Sequence, residues 1–133
     1  MIFGIGTDLV AQQRIAASLD RFGERFMDRI LTEREWSQFR ARLRDPKQRM
    51  RFVAQRFAAK EAFSKALGTG IADGVAWRDV GVHNLPSGKP VLHASVKLAS
   101  RLAVHRIEAM HVSLSDEAGM TIAFVVLEQE GVR

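Results

Sequence analysis

Residues 2–10 alternate between two kinds of side chain: Phe3, Ile5, Thr7 and Leu9 on one side, Gly4, Gly6 and Asp8 on the other. Period-two alternation predicts a first strand. The glycines strip bulk from the face carrying Asp8, so another backbone can approach it closely. The period then changes to that of a helix. Helices are predicted over 12–19 and 22–31, with Ile15, Leu19, Phe26 and Ile30 as buried positions. Thr32-Glu33-Arg34-Glu35 has capping-box spacing, in which hydroxyl and carboxylate serve the opening amides. The helix it opens is expected to run to about residue 43, before Asp45-Pro46 interrupts it. A long helix follows over 47–67, closed by Gly68 and Gly70.

The second half changes character. Strands are predicted at 80–84 and 90–94, joined through Pro86-Ser87-Gly88, and an amphipathic helix at 95–105. Segments 111–115 and 120–128 form a hairpin across 116–119. Its second strand, Ile122-Ala123-Phe124-Val125-Val126-Leu127, is apolar on both faces, which predicts a central place in its sheet. Strand, helices, strands, helix and hairpin in that order give an α+β fold, with a mainly antiparallel sheet packed against the long helix. No repeat or linker divides the 133 residues, so a single domain over 1–133 is expected.

Composition narrows the chemistry. With 47% hydrophobic and 26% charged residues the chain can bury a core. The absence of cysteine excludes disulfides, thiol catalysis and thiolate metal sites. Any metal would fall to carboxylates, histidine or water. No stretch approaches the roughly 18 apolar residues of a membrane helix. The opening residues lack a basic, apolar leader, so a soluble cytoplasmic protein is the expectation. Residues 9–65 hold fourteen Lys and Arg against seven Asp and Glu, a balance of +7 within a net charge of +5. Such a segment fits an anionic partner, whether nucleic acid, phosphorylated ligand or acidic protein, and equally a solvated helical surface.

Within the long helix, Phe52, Ala59, Phe63 and Ala66 share a face suited to the core. Phe57, Glu61 and Lys65 form an i, i+4, i+8 stripe beside it. Taken alone, Glu61 and Lys65 are accounted for by a helical ion pair worth a few tenths of a kcal/mol. If this helix crosses the first strand on its glycine face, Asp8 and Glu61 supply two hard oxygen ligands. That pair suits Mg²⁺ held together with substrate phosphates. Lys60 and Lys65, with Arg56, would then complement phosphate charge.

Three blocks resemble a known family: Gly4-Ile5-Gly6-Thr7-Asp8, the run from Arg56 through Lys60-Glu61-Ala62-Phe63-Ser64-Lys65 to Gly68-Thr69-Gly70, and His111-Val112-Ser113-Leu114-Ser115. Their order and separation are similar to those of bacterial holo-[acyl-carrier-protein] synthases, and Gly88-Lys89-Pro90 falls at a corresponding turn. The resemblance spans essentially the whole chain, and its middle block is the most specific.

It implies a phosphopantetheinyl transferase fold, a homotrimer with coenzyme A at the subunit interfaces, and Mg²⁺ on Asp8 and Glu61. Phosphopantetheine would pass from coenzyme A to a serine of apo acyl carrier protein, releasing adenosine 3',5'-bisphosphate. Lys65 would stabilise charge, with Glu61 as candidate general base. His111, Ser113, Gly68 and Gly70 would lie beside the coenzyme. Gly68 and Gly70 also read as ordinary helix caps. Arg14, Arg21 and Arg25 with Phe26 match the region that docks the acidic carrier, although Ser18 stands where the family often has an apolar residue. A nucleic-acid binder is a poorer fit, since tyrosine and an aromatic–basic strand pattern are both absent. A metal-dependent phosphohydrolase lacks an identifiable third ligand. A non-catalytic trimeric adaptor would have no need of Asp8, Glu61 and Lys65 together.

Overall fold

The opening alternation becomes a ten-residue strand, β1 (Ile2–Ala11), in the computed structural model, which describes residues 1–42, 45–72 and 74–131. Helices α1 (Gln12–Phe22), α2 (Glu24–Ile30), α3 (Glu33–Arg42) and α4 (Pro46–Leu67) follow. A 3₁₀ turn, Trp77–Asp79, leads into β2 (Val80–Asn84) and β3 (Pro90–Ala94). The chain closes with α5 (Val96–Val104), β4 (Ile107–Glu117) and β5 (Met120–Gln129).

Gly23, with φ of 55°, separates α1 from α2, so α1 keeps Phe22, which the periodicity had given to the second helix. The predicted end of the third helix at residue 43 lies outside the described residues. Thr32 and Glu35 form the expected box: the Glu35 amide donates to Thr32 Oγ1 at 3.1 Å, and the Thr32 amide to Glu35 Oε1 at 2.9 Å. Asp45 caps α4 by accepting from the Lys47 amide, and Pro46 occupies its first turn.

The strands form two antiparallel sheets rather than one: β1-β5-β4 and the hairpin β2-β3. As predicted, the last strand is central. β4 begins four residues earlier than its alternation indicates, because an irregularity between Ile107 and Ala109 breaks the period. The β4–β5 turn needs only Ala118 and Gly119, both at positive φ as a type I′ hairpin requires.

Helix α4 crosses one face of the three-stranded sheet. Gly4, Gly6, Asp8 and Val10 of β1 pair with Leu127, Val125, Ala123 and Thr121 of β5, which places them all on this face. The packing is backbone against backbone. A methyl on Gly6 would lie 2.0 Å from the Ala62 carbonyl oxygen, and one on Gly4 only 1.9 Å from that of Ala66. Ala59, Ala62, Phe63 and Ala66 fill this interface together with Ala123, Val125 and Leu127, all buried.

A second junction is polar. Glu35 and Lys60 are both 0% exposed. Glu35 Oε1 accepts from Lys60 Nζ, and Oε2 accepts from the Val82 amide at 2.8 Å. Lys60 also donates to the Ile30 carbonyl. One carboxylate thus joins α3, α4 and β2, and removing one partner of such a buried pair typically costs about 3–5 kcal/mol.

The glycine contact makes a direct prediction. Gly6→Ala should lower unfolding stability in urea by about 3 kcal/mol, because the obstruction is backbone that cannot swing aside. Gly131→Ala, where a methyl meets open space, should stay within about 0.5 kcal/mol of the parent.

Candidate active site

The close crossing of α4 over β1 settles where the conditional metal pair lies. Lys65 Nζ donates to the Thr7 carbonyl at 3.0 Å and to Asp8 Oδ1 at 3.2 Å. Asp8 Oδ2 is buried and has no hydrogen-bond partner among the described residues. Glu61 lies one helical turn before Lys65. Its pKa is raised, first by burial and then by the negative charge of Asp8, against the lowering influence of Lys65 and Arg14. Two carboxylates that repel each other, one with an orphaned oxygen, have the donor chemistry for a divalent cation. No group of three or more His, Asp or Glu able to hold a metal occurs among the described residues. Remaining ligands would therefore come from phosphate or water oxygens, the usual situation for Mg²⁺.

Arg56 and Lys60 do not belong to this cluster, which corrects their assignment to phosphate binding. They lie on the buried side of α4. Lys60 is consumed by Glu35 and Ile30. Arg56 donates to Asn84 Oδ1 at 3.1 Å and stacks over the Phe52 ring at 3.7 Å. Burial lowers its pKa to about 10, with Glu35 opposing. Helical spacing alone did not separate these cations from Lys65, since the acid that claims them comes from α3.

Gly68 has the left-handed conformation that closes α4, with φ of 91°, and its amide reaches the carbonyls of Ser64 and Lys65. Gly70, at φ 65°, also donates to Ser64. Their capping role is thus directly visible, three and five residues beyond Lys65.

His111 and Ser113 are placed differently. They pair with Val126 and Phe124 of β5, whereas Asp8 pairs with Ala123. Successive residues point to opposite faces, so His111 and Ser113 occupy the face away from α4. His111 Nε2 meets Glu128 Oε1 at 2.5 Å there. Within one chain they do not meet Asp8, Glu61 and Lys65.

Arg14, Arg21 and Arg25 are exposed on α1 and α2. Arg14 stands over the Phe57 ring at 6.0 Å and is near enough to Glu61 to lower its pKa. Phe57 stacks on Trp77 at 4.8 Å and on Phe26 at 6.5 Å. This aromatic row, whose Trp77 the sequence pattern did not flag, ties the basic helices to the carboxylate pair. Phe22, Arg25, Phe26 and Arg29 line an adjoining hollow of about 320 Å³.

A family model described as the 4'-phosphopantetheinyl transferase superfamily matches residues 4–123. A holo-[acyl-carrier-protein] synthase of Brucella ovis is 47% identical over 132 residues, covering 96% of each chain. The crystal structure of the synthase from Neisseria meningitidis, 40% identical, superimposes with a TM-score of 0.90 over 97% of this chain and all of the other. That from Bacillus anthracis, in complex with CoA (3',5'-ADP), is 41% identical, with a TM-score of 0.81 over 98% and 99% of the two chains. With the family model spanning most of β1, all of α4 and all of β4, the chain belongs to the 4'-phosphopantetheinyl transferase superfamily.

Proposed function

We propose that this protein transfers 4'-phosphopantetheine from coenzyme A to a serine of apo acyl carrier protein, as a Mg²⁺-dependent holo-[acyl-carrier-protein] synthase of cytoplasmic fatty acid biosynthesis. The observation that carries the proposal is the meeting of Asp8, Glu61 and Lys65, with an orphaned Asp8 oxygen, in a chain of this superfamily. In the reaction the carrier serine oxygen bonds to the phosphorus bearing the pantetheine arm. The bond from that phosphorus to adenosine 3',5'-bisphosphate breaks, and the serine proton passes to a base. Such a transfer depends on positioning and charge neutralisation more than on covalent help from the protein.

Asp8 and Glu61 would hold Mg²⁺, which supplies charge neutralisation at the pyrophosphate. Lys65 carries three donors, of which two are engaged by Thr7 and Asp8. The third remains to meet a phosphate oxygen and to protonate the leaving group. Glu61 is the candidate base, acting directly or through a water. Its raised pKa brings it nearer the working pH, where proton acceptance is most effective. Gly68 and Gly70 would present their unhindered backbone to the nucleotide.

A homotrimer is part of the same proposal. The sheet face away from α4 exposes Ile5 and Leu9 at 59% each, Ile122 at 46% and Phe124 at 40%. An apolar face of this kind, spread over edge strand β1 and central strand β5, is suited to subunit contact. His111 and Ser113 lie on it, so a site joining them to Asp8 takes residues from two subunits. The basic helices would receive the acidic carrier, mainly raising its association rate.

Mass analysis of apo carrier incubated with the protein, coenzyme A and Mg²⁺ should show the phosphopantetheine gain; an unchanged mass would sink the proposal. Asp8→Ala should lose transfer and keep the fold. Glu61→Gln should also lose transfer yet be more stable than the parent in urea at pH 7. The folded state holds this proton more tightly than the unfolded chain, so ionised Glu61 opposes folding. That advantage should shrink as the pH falls toward 4.5, the ordinary carboxyl value. A less stable Glu61→Gln at pH 7 would contradict the strained carboxylate pair.

Reversing charge with Arg14→Glu and Arg25→Glu should weaken carrier affinity about tenfold or more at low salt and leave coenzyme A binding little changed. Equal losses for both ligands would remove the docking surface. Mixing inactive Asp8→Ala and His111→Ala subunits under exchange should restore up to about a quarter of parental activity, since one interface in four combines both intact residues. No restoration would confine the site to one chain.

A further inference from the structure

A second polar site lies on the hairpin β2–β3, lined by none of Asp8, Glu61 or Lys65. It originates in Gly81. This residue pairs with His93 across the hairpin, and His83 is two positions further along the same strand. All three therefore share a face. Where Gly81 lacks a side chain the His83 ring folds in, its Nε2 lying 3.1 Å from the place a methyl would take. His93 meets that ring edge-on at 5.8 Å. The resulting cavity measures about 230 Å³.

The lining is unbalanced in charge. Arg34 and Arg78 both border the cavity and are exposed, with no hydrogen bond or ion pair to any described residue. Asp79 is the one carboxylate in the wall, and both its oxygens are engaged. Oδ1 accepts from the Ser95 hydroxyl at 2.9 Å and Oδ2 from the Ala76 amide at 2.8 Å. Ser95 in turn caps the nine-residue helix α5, accepting from the Leu98 amide, so the positive end of that helix points this way. Glu35, beneath the hairpin, is paired with Lys60.

His83 is the buried polar side chain of this wall, with Nε2 at the Gly81 notch. It is only 8% exposed, and its Nδ1 is buried with no hydrogen-bond partner among the described residues. Burial, then the charge of Arg34, keeps the ring below the usual imidazole pKa. A neutral, buried imidazole with an idle nitrogen beside two unpaired guanidiniums is a poor arrangement in isolation. It is a good one around an anion, because guanidinium forks and an imidazole N–H together match the oxygens of a tetrahedral group. A cation is disfavoured by the two arginines and by the lack of a free carboxylate oxygen.

We propose that the Gly81 notch, with Arg34, Arg78, His83 and His93, binds a tetrahedral oxyanion of the phosphate type, either free phosphate or the phosphomonoester end of a larger molecule. The site is separate from the transferase centre.

The test is a titration of the full-length, ¹⁵N-labelled protein with inorganic phosphate and, in a second arm, O-phosphoserine, following the imidazole resonances at ionic strength matched with chloride. His83 and His93 should shift saturably in at least one arm, and the preferred arm identifies the source. Arg34→Ala with Arg78→Ala, both surface changes, should weaken that affinity about tenfold or more while preserving fold and transfer activity. Three results would overturn the site: no saturable shift in either arm, the same shift with chloride alone, or undiminished affinity in the double variant.

Discussion

Two carbonyl oxygens of α4 lie where Gly4 and Gly6 would otherwise carry side chains, and this contact organises everything around it. Because strand and helix touch backbone to backbone, Asp8, two residues beyond Gly6, comes within 3.2 Å of Lys65. The same approach brings the Asp8 and Glu61 carboxylates near enough for one to raise the other's pKa. Any side chain larger than hydrogen at positions 4 or 6 would push the helix outward and open this pair. The site thus depends on two residues that have no chemistry of their own.

The polar junction around Glu35 shows how one helix serves two purposes. Lys60 and Glu61 are adjacent in sequence, yet residues 56 and 60 face one side of α4 and residues 61 and 65 another. On one side the cations are locked to Glu35, Asn84 and the Ile30 carbonyl; on the other, Lys65 remains half-exposed beside Asp8. Burying Lys60 is tolerable only because Glu35 meets it and the Thr32 and Val82 amides satisfy the same carboxylate. That hub also fixes the hairpin β2–β3, and with it the notch at Gly81.

The open face of the three-stranded sheet is the counterpart of the covered one. Gly6, Val10, Ala123 and Val125 lie on the face beneath α4, while Ile5, Leu9, Ile122 and Phe124, their immediate neighbours in sequence, face outward. In a single chain this leaves apolar surface on both sides of β5, with only one side covered. His111 and Ser113 lie on this same open face.

The order of elements, the capping box, the central last strand and the glycine-lined approach to Asp8 were all legible in the sequence, because each rests on local period or backbone freedom. So was the stripe of Phe57, Glu61 and Lys65. The split into two sheets was not, nor was the early start of β4, since strand pairing and a bulge are set by partners distant in the chain. Tertiary structure also decided which cations are free. Arg56, Lys60 and Lys65 carry the same formal charge, and periodicity cannot say where a carboxylate from α3 will arrive. The opposite facing of Asp8 and His111 likewise follows from register across β5. A sequence records which residues can do chemistry, and the long-range pairing of strands and helices determines which of them meet.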